Sequence, residues 1–536
     1  MAAKFSIPSS PSRSVLTIST FLGVDFTNSP AAVSENQSPN CKNMIRDVPG
    51  KVRKCMGYKK VGEYDGPING YHLIRGDKHG LVHAGTKLYH NGELKYSDAN
   101  NARSRSWQFD NKVYIADGKK YLVWDGSEVK PVSESAKIPT VTIAKSPNGG
   151  GTSYEDLNLI QPGFTELFAG TEADVAYHMT FGNLDATTVK AYVLLNSGSW
   201  VEKTENSDFT VDRVNGIINF AIAPGKSPIT GEDNVKITAY RTVEGYADRI
   251  NKCCIGTQYG LKGAIDRLFL SGNPDYINQD WFSEQNDPTY FADTYYSSLG
   301  TSKSAIMGYS IINNYLATHK DEMETDQFIV LREGTLVDNK PVFRSVNTLQ
   351  GAGAIAKDTF AYLSSEPLFL TRSGIYAITA QDITGEKYGQ NRSFYLNGKL
   401  LKEDNLEKAF AFVYKDMYWL CVNGVAYILD GLQPMQSDKS MPYSTRQYAG
   451  FYRTNLPANC MWEQDGKLYF GTTDGRLCEF YSDSDALASY NDDGDAIEAV
   501  WETPDIDGKL FYKNKTFRYL AVRLKSALAT TLDIYV

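Results

Sequence analysis

From about residue 70 onward, the sequence repeats short apolar runs that are separated by Gly, Asn and Asp. Residues 112–116 (KVYIA) precede Asp117 and Gly118, and residues 121–124 (YLVW) follow them. Two strand-like runs on either side of an Asp-Gly turn are a strong short-range signal for a β-hairpin. The pattern therefore predicts a mainly β protein that is built from antiparallel hairpins.

The hairpin pattern returns in the second half of the sequence. Copies lie at residues 417–431 and 465–480, and a weaker copy lies at residues 367–378. Hairpins that recur in units of roughly 40–50 residues are typical of β-propellers, in which small sheets packed radially bury one another's apolar faces. We predict a β-propeller of about five to seven blades.

The hairpin pattern is interrupted between residues 138 and 245. A Pro-Asn-Gly-Gly-Gly stretch at 147–151 is followed by evenly spaced runs in which apolar and polar residues alternate, such as 189–193 and 235–240. Short, evenly spaced, alternating strands are typical of antiparallel sandwiches. We predict a small antiparallel β-sandwich that is inserted between blades of the propeller.

The two ends of the sequence follow different patterns. The first 45 residues have little periodicity and several Ser-Pro pairs, which favours an extended arm that lies on this subunit or on a neighbour. Near the other end, residues 496–501 and 517–524 are predicted strands, and residues 534–536 lie in a third, which a partner strand would complete. A short helix is predicted within residues 400–412.

These patterns divide the sequence into five predicted parts. They are an extended N-terminal arm (1–45), the first propeller blades (46–137), the inserted β-sandwich (138–245), the remaining blades (246–485) and a C-terminal β segment (486–536).

The composition fits a strand-rich fold. The 536 residues include 35 Tyr, 24 Phe and 7 Trp, and aromatic side chains suit pleated, half-buried surfaces. The net charge of -8 argues against non-specific binding to nucleic acid, and the basic stretch 51–54 is a candidate local patch. The sequence has no apolar run of about 18 residues and no signal-peptide pattern. We therefore expect a non-membrane protein that is made and assembled in a cytoplasm.

The sequence offers few candidates for chemistry. His72, His79, His83 and His90 are close in sequence, but strand alternation sends many of them to opposite faces, so we interpret them as ordinary strand or turn histidines. The acidic stretch 483–495 lacks the full spacing and the closing Glu of a calcium loop. Seven cysteines without paired CxxC motifs are predicted to be small buried side chains. No catalytic, cofactor-binding or metal-binding residue is predicted, and we expect no enzyme.

Asn43 and Met44 are followed by residues 50–58 (GKVRKCMGY). This first segment is similar to the opening of tail nozzle and stabilisation proteins, which are virion proteins of short-tailed bacteriophages. Lys54 and Met56 stand where those proteins have Arg-like and Pro residues.

The second segment is similar to a segment of prophage virion proteins. It comprises residues 266–274 (DRLFLSGNP), 281–283 (WFS) and 286–291 (NDPTYF). Residues 491–495 (NDDGD) and 501–504 (WETP) extend the resemblance, so that it spans roughly 40–505.

The resemblance implies a β-propeller in the tail, nozzle or head–tail connection of a phage or prophage particle, with no catalytic residues. It also implies neighbours, which are copies of the chain in a ring, with a hexamer favoured, and other tail or connector proteins. DNA could pass through such a ring, while direct nucleic-acid binding is not expected. The protein would then be found in the virion, after assembly in the cytoplasm of the host bacterium.

Two other functions stay open from the sequence. Exposed Tyr and Trp side chains could form a platform for host glycans, as a receptor-binding propeller requires. A polysaccharide depolymerase would need two carboxylates at a fixed separation, which the sequence does not give. The leading hypothesis is a non-enzymatic structural component of the particle.

Overall fold

The structure is a computed structural model that describes residues 15–323, 328–349, 351–380, 387–434, 447–482, 486–506, 512, 514–525 and 531–535. Within those residues the chain forms 41 strands and two short α-helices, so the fold is mainly β, as predicted. The strands belong to ten small sheets, and seven of these have a four-stranded antiparallel core.

The first strands form a hairpin, a single strand and two four-stranded sheets. The hairpin pairs β1 (Met44–Arg46) with β2 (Val52–Lys54), and the single strand is β3 (Tyr58–Glu63). Sheet 1 consists of β4 (Ile68–His72), β5 (Leu81–Ala84), β6 (Lys87–His90) and β7 (Glu93–Tyr96). Sheet 2 consists of β8 (Arg105–Phe109), β9 (Lys112–Ala116), β10 (Tyr121–Trp124) and β11 (Val129–Pro131).

The next nine strands form two sheets, here called the insert. They are β12 (Thr140–Lys145), β13 (Thr152–Ser153), β14 (Gly163–Phe168), β15 (Ala176–His178), β16 (Lys190–Leu194), β17 (Trp200–Lys203), β18 (Phe209–Asp212), β19 (Ile217–Phe220) and β20 (Val235–Tyr240). The six-stranded sheet has the order β13-β12-β14-β20-β16-β17, and the three-stranded sheet has the order β15-β19-β18. Phe164 and Phe168 of the larger sheet share one buried core with Tyr177 and Ile218 of the smaller.

One strand pair of the insert differs from the prediction. The predicted sandwich was antiparallel, but β12 and β14 run parallel, with Thr140 opposite Thr165. A parallel pair needs a connection that returns the chain to the starting end of the first strand. Residues 154–162 provide that return, so β14 begins beside the start of β12.

A helix and four further four-stranded sheets follow the insert. The helix is α1 (Tyr246–Asn251), and sheet 3 consists of β21 (Ile255–Gln258), β22 (Leu268–Ser271), β23 (Gln279–Phe282) and β24 (Tyr296–Ser298). Sheet 4 consists of β25 (Ile306–Ile312), β26 (Tyr315–Lys320), β27 (Ile329–Val337) and β28 (Lys340–Leu349). Sheet 5 consists of β29 (Ala361–Leu363), β30 (Glu366–Thr371), β31 (Gly374–Ala380) and β32 (Lys387–Asn391), and α2 (Phe394–Leu400) follows it. Sheet 6 consists of β33 (Phe410–Tyr414), β34 (Met417–Val422), β35 (Val425–Pro434) and β36 (Tyr448–Arg453).

The last sheet combines strands from both ends of the sequence. Sheet 7 contains β37 (Ala458–Gln464), β38 (Lys467–Thr472), β39 (Arg476–Phe480), β40 (Asn491–Asp492) and β41 (Asp495–Ala496). Its strand order is β37-β38-β39-β3-β40-β41, so β3 lies between β39 and β40. Tyr58 on β3 is opposite Phe480 on β39. An early strand therefore completes the last sheet.

Gly57 allows β3 to enter this position. A Cβ atom at Gly57 would lie 1.9 Å from the carbonyl oxygen of Asn491. The Gly57 amide donates to the carbonyl of Ser489 at 2.7 Å, and its carbonyl accepts from the Tyr481 amide at 3.0 Å. Only glycine permits this approach of two backbones.

Tight turns explain why the hairpins form where the sequence predicts them. Asn423 and Gly424, between β34 and β35, have φ values of 48° and 76°. Asp465 and Gly466, between β37 and β38, have φ values of 52° and 75°. Two consecutive residues with positive φ are the signature of the turn whose twist matches that of antiparallel strands, and Asn-Gly and Asp-Gly pairs adopt it most readily.

Consecutive sheets share apolar cores. A single four-stranded sheet cannot cover both of its own faces, whereas each fully buried Leu or Phe contributes about 1.5–3 kcal/mol. Seven buried clusters each join two sheets: Leu81 with Leu122 (sheets 1 and 2), Tyr121 with Leu270 (2 and 3), Phe269 with Leu316 (3 and 4), Ile329 with Phe369 (4 and 5), Leu370 with Leu429 (5 and 6), Ile428 with Phe470 (6 and 7), and Cys460 with Ile68 (7 and 1).

Buried ion pairs reinforce several of these sheets. Arg332 on β27 and Asp280 on β23 are both fully buried and pair across sheets 3 and 4. Tyr309 donates to the same Asp280 carboxylate at 3.0 Å. Arg392 and Glu366 pair at 2.7 Å within sheet 5. Because each charge keeps a partner, these groups fix how the sheets meet without leaving an isolated buried charge.

The segment before β1 is extended and packs against the sheets. Val24 is fully buried in the cluster between sheets 5 and 6, and its amide donates to the carbonyl of Gly450 at 2.8 Å. The Phe26 amide donates to the carbonyl of Tyr395, which lies in α2, at 2.8 Å. The described part of the predicted arm therefore lies on its own subunit, while residues 1–14 lie outside the described residues.

The short helix predicted within residues 400–412 is confirmed as a single 3-10 turn at Leu406–Lys408, while α2 ends at Leu400 and Phe410 already begins β33, where it packs beside Met461. Two other local predictions near the end of the sequence are wrong. The strand predicted at 496–501 is reduced to β41, which ends at Ala496, because the chain turns there to cross the N-terminal segment through a bridge between Val500 and Lys42. Residues 517–524 form no strand, because they pair with no other strand in the described chain.

Candidate functional site

A polar cluster joins segments from several sheets, and we call it the hub. It consists of Arg103 and Arg105 at the start of sheet 2, Asp358 ahead of sheet 5, and Asn459 on β37 of sheet 7. Arg103 pairs with Asp358 at 3.2 Å, and Arg105 pairs with the other oxygen of that carboxylate at 2.7 Å. One carboxylate thus holds two arginines.

Backbone carbonyls extend the hub to two more sheets. Arg103 donates through Nε to the carbonyl of Asn459 at 2.9 Å and through Nη1 to the carbonyl of Lys408, ahead of sheet 6, at 2.8 Å. The Asn459 side chain donates to the carbonyl of Ile68, on β4 of sheet 1, at 2.9 Å. The hub therefore connects sheets 1, 2, 5, 6 and 7 by hydrogen bonds.

The charges in the hub are matched. Burial alone would raise the pKa of Asp358, but Arg105 and then Arg103 outweigh it and hold that pKa below its usual value. The guanidinium of Arg103 also lies over the Phe410 ring, 4.9 Å from its centroid. Because these groups satisfy one another, the arrangement is suited to holding sheets together.

Two of the four clustered histidines share one hydroxyl. His72 and His83 are buried in sheet 1, and Ser104 Oγ lies 3.0 Å from Nε2 of His72 and 2.7 Å from Nδ1 of His83. Burial lowers the pKa of His72 to about 3 and also lowers the pKa of His83. His90 lies apart from them, with its Nε2 3.0 Å from Asp77, and His79 is exposed. The described residues contain no group of three or more His, Cys, Asp and Glu that is placed to hold a metal ion.

The acidic stretch divides into two parts. Asp483 and Asp485 lie outside the described residues. Asp492 is buried and pairs with Arg453, while Asp493 pairs with Arg476 at 3.3 Å. Asp492 therefore pairs with an arginine of sheet 6, and Asp493 with an arginine of sheet 7.

The cysteines are free thiols in the described chain. Cys41, Cys55, Cys253, Cys421 and Cys478 are buried, and burial raises the pKa of Cys421 to about 12. Such thiols behave as small apolar side chains.

Among the described residues, no helix is long and apolar enough to cross a bilayer.

Residues 43–58 lie where β3 enters sheet 7. Asn43 is buried, and its side-chain oxygen accepts from Arg453 at 3.1 Å and from the Thr454 amide at 2.8 Å. Its side-chain nitrogen donates to the carbonyl of Glu498 at 2.7 Å. Asn43 thus ties the start of the fold to sheet 6 and to the segment after β41.

Residues 266–291 form the centre of sheet 3 and bind the insert. Trp281 and Phe291 are buried in the cluster between sheets 2 and 3. The side chain of Asn158, from the insert, donates to the carbonyl of Thr289 at 2.9 Å, and the Leu159 amide donates to the carbonyl of Phe291 at 2.8 Å. Residues 43–58 and 266–291 therefore both join parts of the fold.

A pocket of about 550 Å³ opens between the insert and sheet 3. Its lining includes Phe181, Arg241, Tyr246, Asp156 and Asp293. Burial first, and then the negative charge of Asp156, raise the pKa of Asp293. Arg241 lies over the Phe181 ring, 5.2 Å from its centroid. The pocket thus brings two carboxylates, a guanidinium and two aromatic rings together.

Neither the hub nor the pocket could be predicted from the sequence. Arg103 and Asp358 are 255 positions apart in the sequence. Asp156 comes before β14, and Asp293 comes after β20, the last strand of the insert. Neither set has a short motif, since the fold alone brings the residues together.

Comparison with known proteins gives no family for this chain. No protein-family model matches it, and no curated protein matches it.

Solved structures give weak similarities. The computationally designed Ika8 protein has 10% identity and a TM-score of 0.32, with 80% of this chain and 99% of that chain covered. Sqt1 of Saccharomyces cerevisiae has 8% identity and a TM-score of 0.32, with 79% and 99% covered. PorZ of Porphyromonas gingivalis, a surface component of the type-IX secretion system, has 12% identity and a TM-score of 0.26, with 77% and 62% covered. TM-scores at this level support no conclusion about this chain.

The hub should contribute measurably to stability. Asp358→Asn keeps the shape of the side chain but leaves Arg103 and Arg105 without their shared counter-charge. We expect a loss of about 2 kcal/mol in the free energy of unfolding, measured by urea titration at pH 7. Glu172→Gln is the control, because Glu172 pairs with Lys226 on the surface with both side chains largely exposed, and it should leave the midpoint unchanged. Equal midpoints for the wild type and Asp358→Asn would contradict the role of the hub.

The buried histidines should make the fold sensitive to acid. The pKa of His319, which is enclosed by Phe360 and Phe369, is also lowered to about 3 by burial. Between the ordinary pKa of about 6.5 and these folded values, the unfolded chain binds protons that the folded chain does not, so stability falls as the pH falls. Each such histidine adds a slope of up to about 1.4 kcal/mol per pH unit. Urea titrations from pH 7 to pH 4.5 should show a shallower slope for His319→Gln than for the wild type. Identical slopes would mean that His319 is not buried in its neutral form.

Proposed function

We propose that this chain is a non-enzymatic structural protein of a tailed bacteriophage or prophage particle, in its tail, nozzle or head–tail connection. The observation that carries the proposal is the position of residues 43–58 and 266–291, the two segments that resemble virion proteins of tailed phages. Asn43 and the residues up to Tyr58 join the start of the fold to sheets 6 and 7, and Trp281 and Phe291 hold sheet 3 against sheet 2 and the insert. The resemblance thus involves residues on which the assembly of the fold depends.

A seven-bladed β-propeller is the architecture that we propose for sheets 1 to 7. Seven apolar clusters link each sheet to the next, and the last cluster links sheet 7 to sheet 1. The first strands of neighbouring sheets contact each other, as in β4 with β8, β33 with β37, and β37 with β4. Closure by β3 would lock such a ring, because the last blade cannot leave without removing an early strand.

Rigidity is what the proposed role requires. The hub ties five of the seven sheets together through hydrogen bonds of Arg103, Arg105 and Asn459. A scaffold that holds neighbouring subunits in register must keep its own sheets in one fixed arrangement. Satisfied buried polar contacts favour a single arrangement of the sheets.

The partners follow from the same proposal. We favour a ring of copies of this chain, hexameric as in the nozzle family that the sequence resembles, together with other tail or connector proteins. DNA could pass through the opening of that ring, while a net charge of -8 disfavours direct binding to nucleic acid. The protein would be located in the virion after assembly in the cytoplasm of the host bacterium.

Purified particles provide the test of this function. We expect peptides of this chain in mass spectra of gradient-purified particles, at a constant copy number, and a density that fits the seven sheets in electron-microscopy maps of the tail or connector. A particle that is complete and infectious without this chain would overturn the proposal.

One observation favours a second function, the binding of host glycans. The pocket between the insert and sheet 3 offers Asp156 and Asp293 as hydrogen-bond acceptors and Tyr246 and Phe181 as aromatic surfaces. Tyrosine and tryptophan combine apolar contact with a polar group and are common in recognition surfaces. A carboxyl group with a raised pKa, such as Asp293, is also what a general acid of a polysaccharide depolymerase requires.

Variants of the pocket separate these possibilities. If the pocket binds glycans, the wild type should bind host cell-wall polysaccharide, and Asp293→Asn with Tyr246→Ala should weaken that binding at least tenfold in a sedimentation assay. Glu172→Gln, on the exposed side of the insert, is the matched control. Release of reducing sugar by the wild type that Asp293→Asn abolishes would instead support a depolymerase. Wild-type protein that neither binds nor cleaves the polysaccharide would exclude both functions for this pocket.

A further inference from the structure

Residues 514–525 (NKTFRYLAVRLK), here called the tail segment, have the composition of a strand but form none. Phe517, Tyr519 and Leu520 are 70%, 79% and 67% exposed, and Val522 and Leu524 are at least half exposed. Aromatic and β-branched residues are the ones that favour strands. Large apolar side chains that a fold leaves in water in one short segment mark a contact site.

The charge of the tail segment is opposite to that of the whole protein. It contains Lys515, Arg518, Arg523 and Lys525 and no acidic residue, whereas the protein carries a net charge of -8. Extended, the segment spans about 40 Å. It is therefore a basic, apolar segment that can pair as a strand with an acidic or neutral sheet edge. In such a pairing both faces of the tail segment can be covered.

The insert presents such an edge. β17 is the last strand of the six-stranded sheet, so one of its sides has no neighbour in the described chain. Trp200 and Val201 on β17 are 44% and 36% exposed, and Glu202 is exposed between Val201 and Lys203. An exposed strand edge with apolar side chains is a template for an added strand.

The register of β17 identifies the backbone groups that face outward. The Leu195 amide donates to the carbonyl of Ser199 at 3.0 Å, which makes this opposing pair hydrogen-bonded. Hydrogen-bonded and non-hydrogen-bonded pairs alternate along an antiparallel pair of strands. Val201, opposite Val193, is therefore bonded to β16, while the backbone groups of Trp200 and Glu202 point to the open side.

We propose that the tail segment of one copy adds as a strand to the free edge of β17 on a second copy of this chain. The inference rests on the proposed function, in which copies of the chain surround an axis, and it names the contact between them. The link is head-to-tail, since each copy supplies one tail segment and one β17 edge. Head-to-tail contacts close into rings when the rotation between copies fits. Arg518 or Arg523 would lie near Glu202 in this arrangement.

Two sets of variants test the two halves of the contact. Leu520→Glu with Val522→Glu disables the tail segment. Glu202→Pro disables the edge, because it removes an outward-facing amide without removing a bond to β16, and proline is tolerated on edge strands. Glu202→Gln is the matched control, since it changes the side chain and keeps the amide. Trp200→Glu is a second edge variant that does not constrain the backbone. Thermal unfolding of every variant establishes that it is folded.

Sedimentation velocity of the full chain measures the outcome. We expect the wild type and Glu202→Gln to associate as the concentration rises. Glu202→Pro, Trp200→Glu and the double variant Leu520→Glu with Val522→Glu, called the tail variant, should stay monomeric. A mixture of the tail variant with Glu202→Pro should form dimers and nothing larger, because only one tail and one edge remain in each pair. A wild type that is monomeric at all concentrations, or a Glu202→Pro protein that associates as the wild type does, would overturn the proposal. Loss of binding to an oligonucleotide or to anionic vesicles in the tail variant, with a monomeric wild type, would also overturn it in favour of those partners.

The proposed contact and the proposed location in the particle can be tested separately. If the particle contains the chain but the wild type stays monomeric, only the proposed contact between the tail segment and β17 is wrong. If the chain associates through β17 but is absent from particles, the contact stands and the proposed location is wrong.

Discussion

The structure depends on apolar faces that no single sheet can bury alone. Each four-stranded sheet is small, and its two faces carry side chains such as Leu122, Phe269, Leu370 and Phe470 that are buried only because a neighbouring sheet covers them. Stability is therefore shared between sheets. The position of β3 between β39 and β40 extends this dependence to the whole length of the described fold, because the last sheet is incomplete until an early strand joins it.

Polar contacts determine which sheet meets which. Apolar burial is non-directional, so the shared cores alone would tolerate small shifts between sheets. The pairs Arg332–Asp280 and Arg453–Asp492 and the hub around Asp358 require defined distances and orientations. A shift of one sheet would leave a charge without its partner, and an unpaired buried charge is far more costly than a lost apolar contact. The combination explains how many small sheets form one defined arrangement.

The sequence predicted the parts of the fold that have local causes. Asn423-Gly424 and Asp465-Gly466 adopt positive φ values at the ends of paired strands, as their residue types favour, and the interruption at 138–245 contains the nine strands of the insert. The failures have non-local causes. Residues 517–524 have the pattern of a strand, but a strand needs a partner, and none is present in the described chain. The parallel pair of β12 and β14 depends on the path of the connecting residues, which the alternation of side chains does not encode.

The candidate site was less accessible to sequence reasoning than the fold. Arg103, Asp358 and Asn459 are ordinary polar residues in unremarkable surroundings, and only the packing of the sheets brings them together. The spacing of the histidines in the sequence did not indicate that His72 and His83 share Ser104 while His90 lies beside Asp77. Residues 43–58 and 266–291 share a structural role, because Asn43, Gly57 and Trp281 occupy positions where parts of the fold join.

Native-state hydrogen exchange measured by mass spectrometry tests the central claim, which is that the seven sheets form one interdependent unit closed by β3. If they do, amides of β3 and β39 and of the central strands of sheets 1 to 7 should exchange through a common opening, with the same free energy and the same dependence on urea. A sheet whose central strands exchange with a separate, lower free energy, or a β3 that exchanges long before β39, would contradict the account.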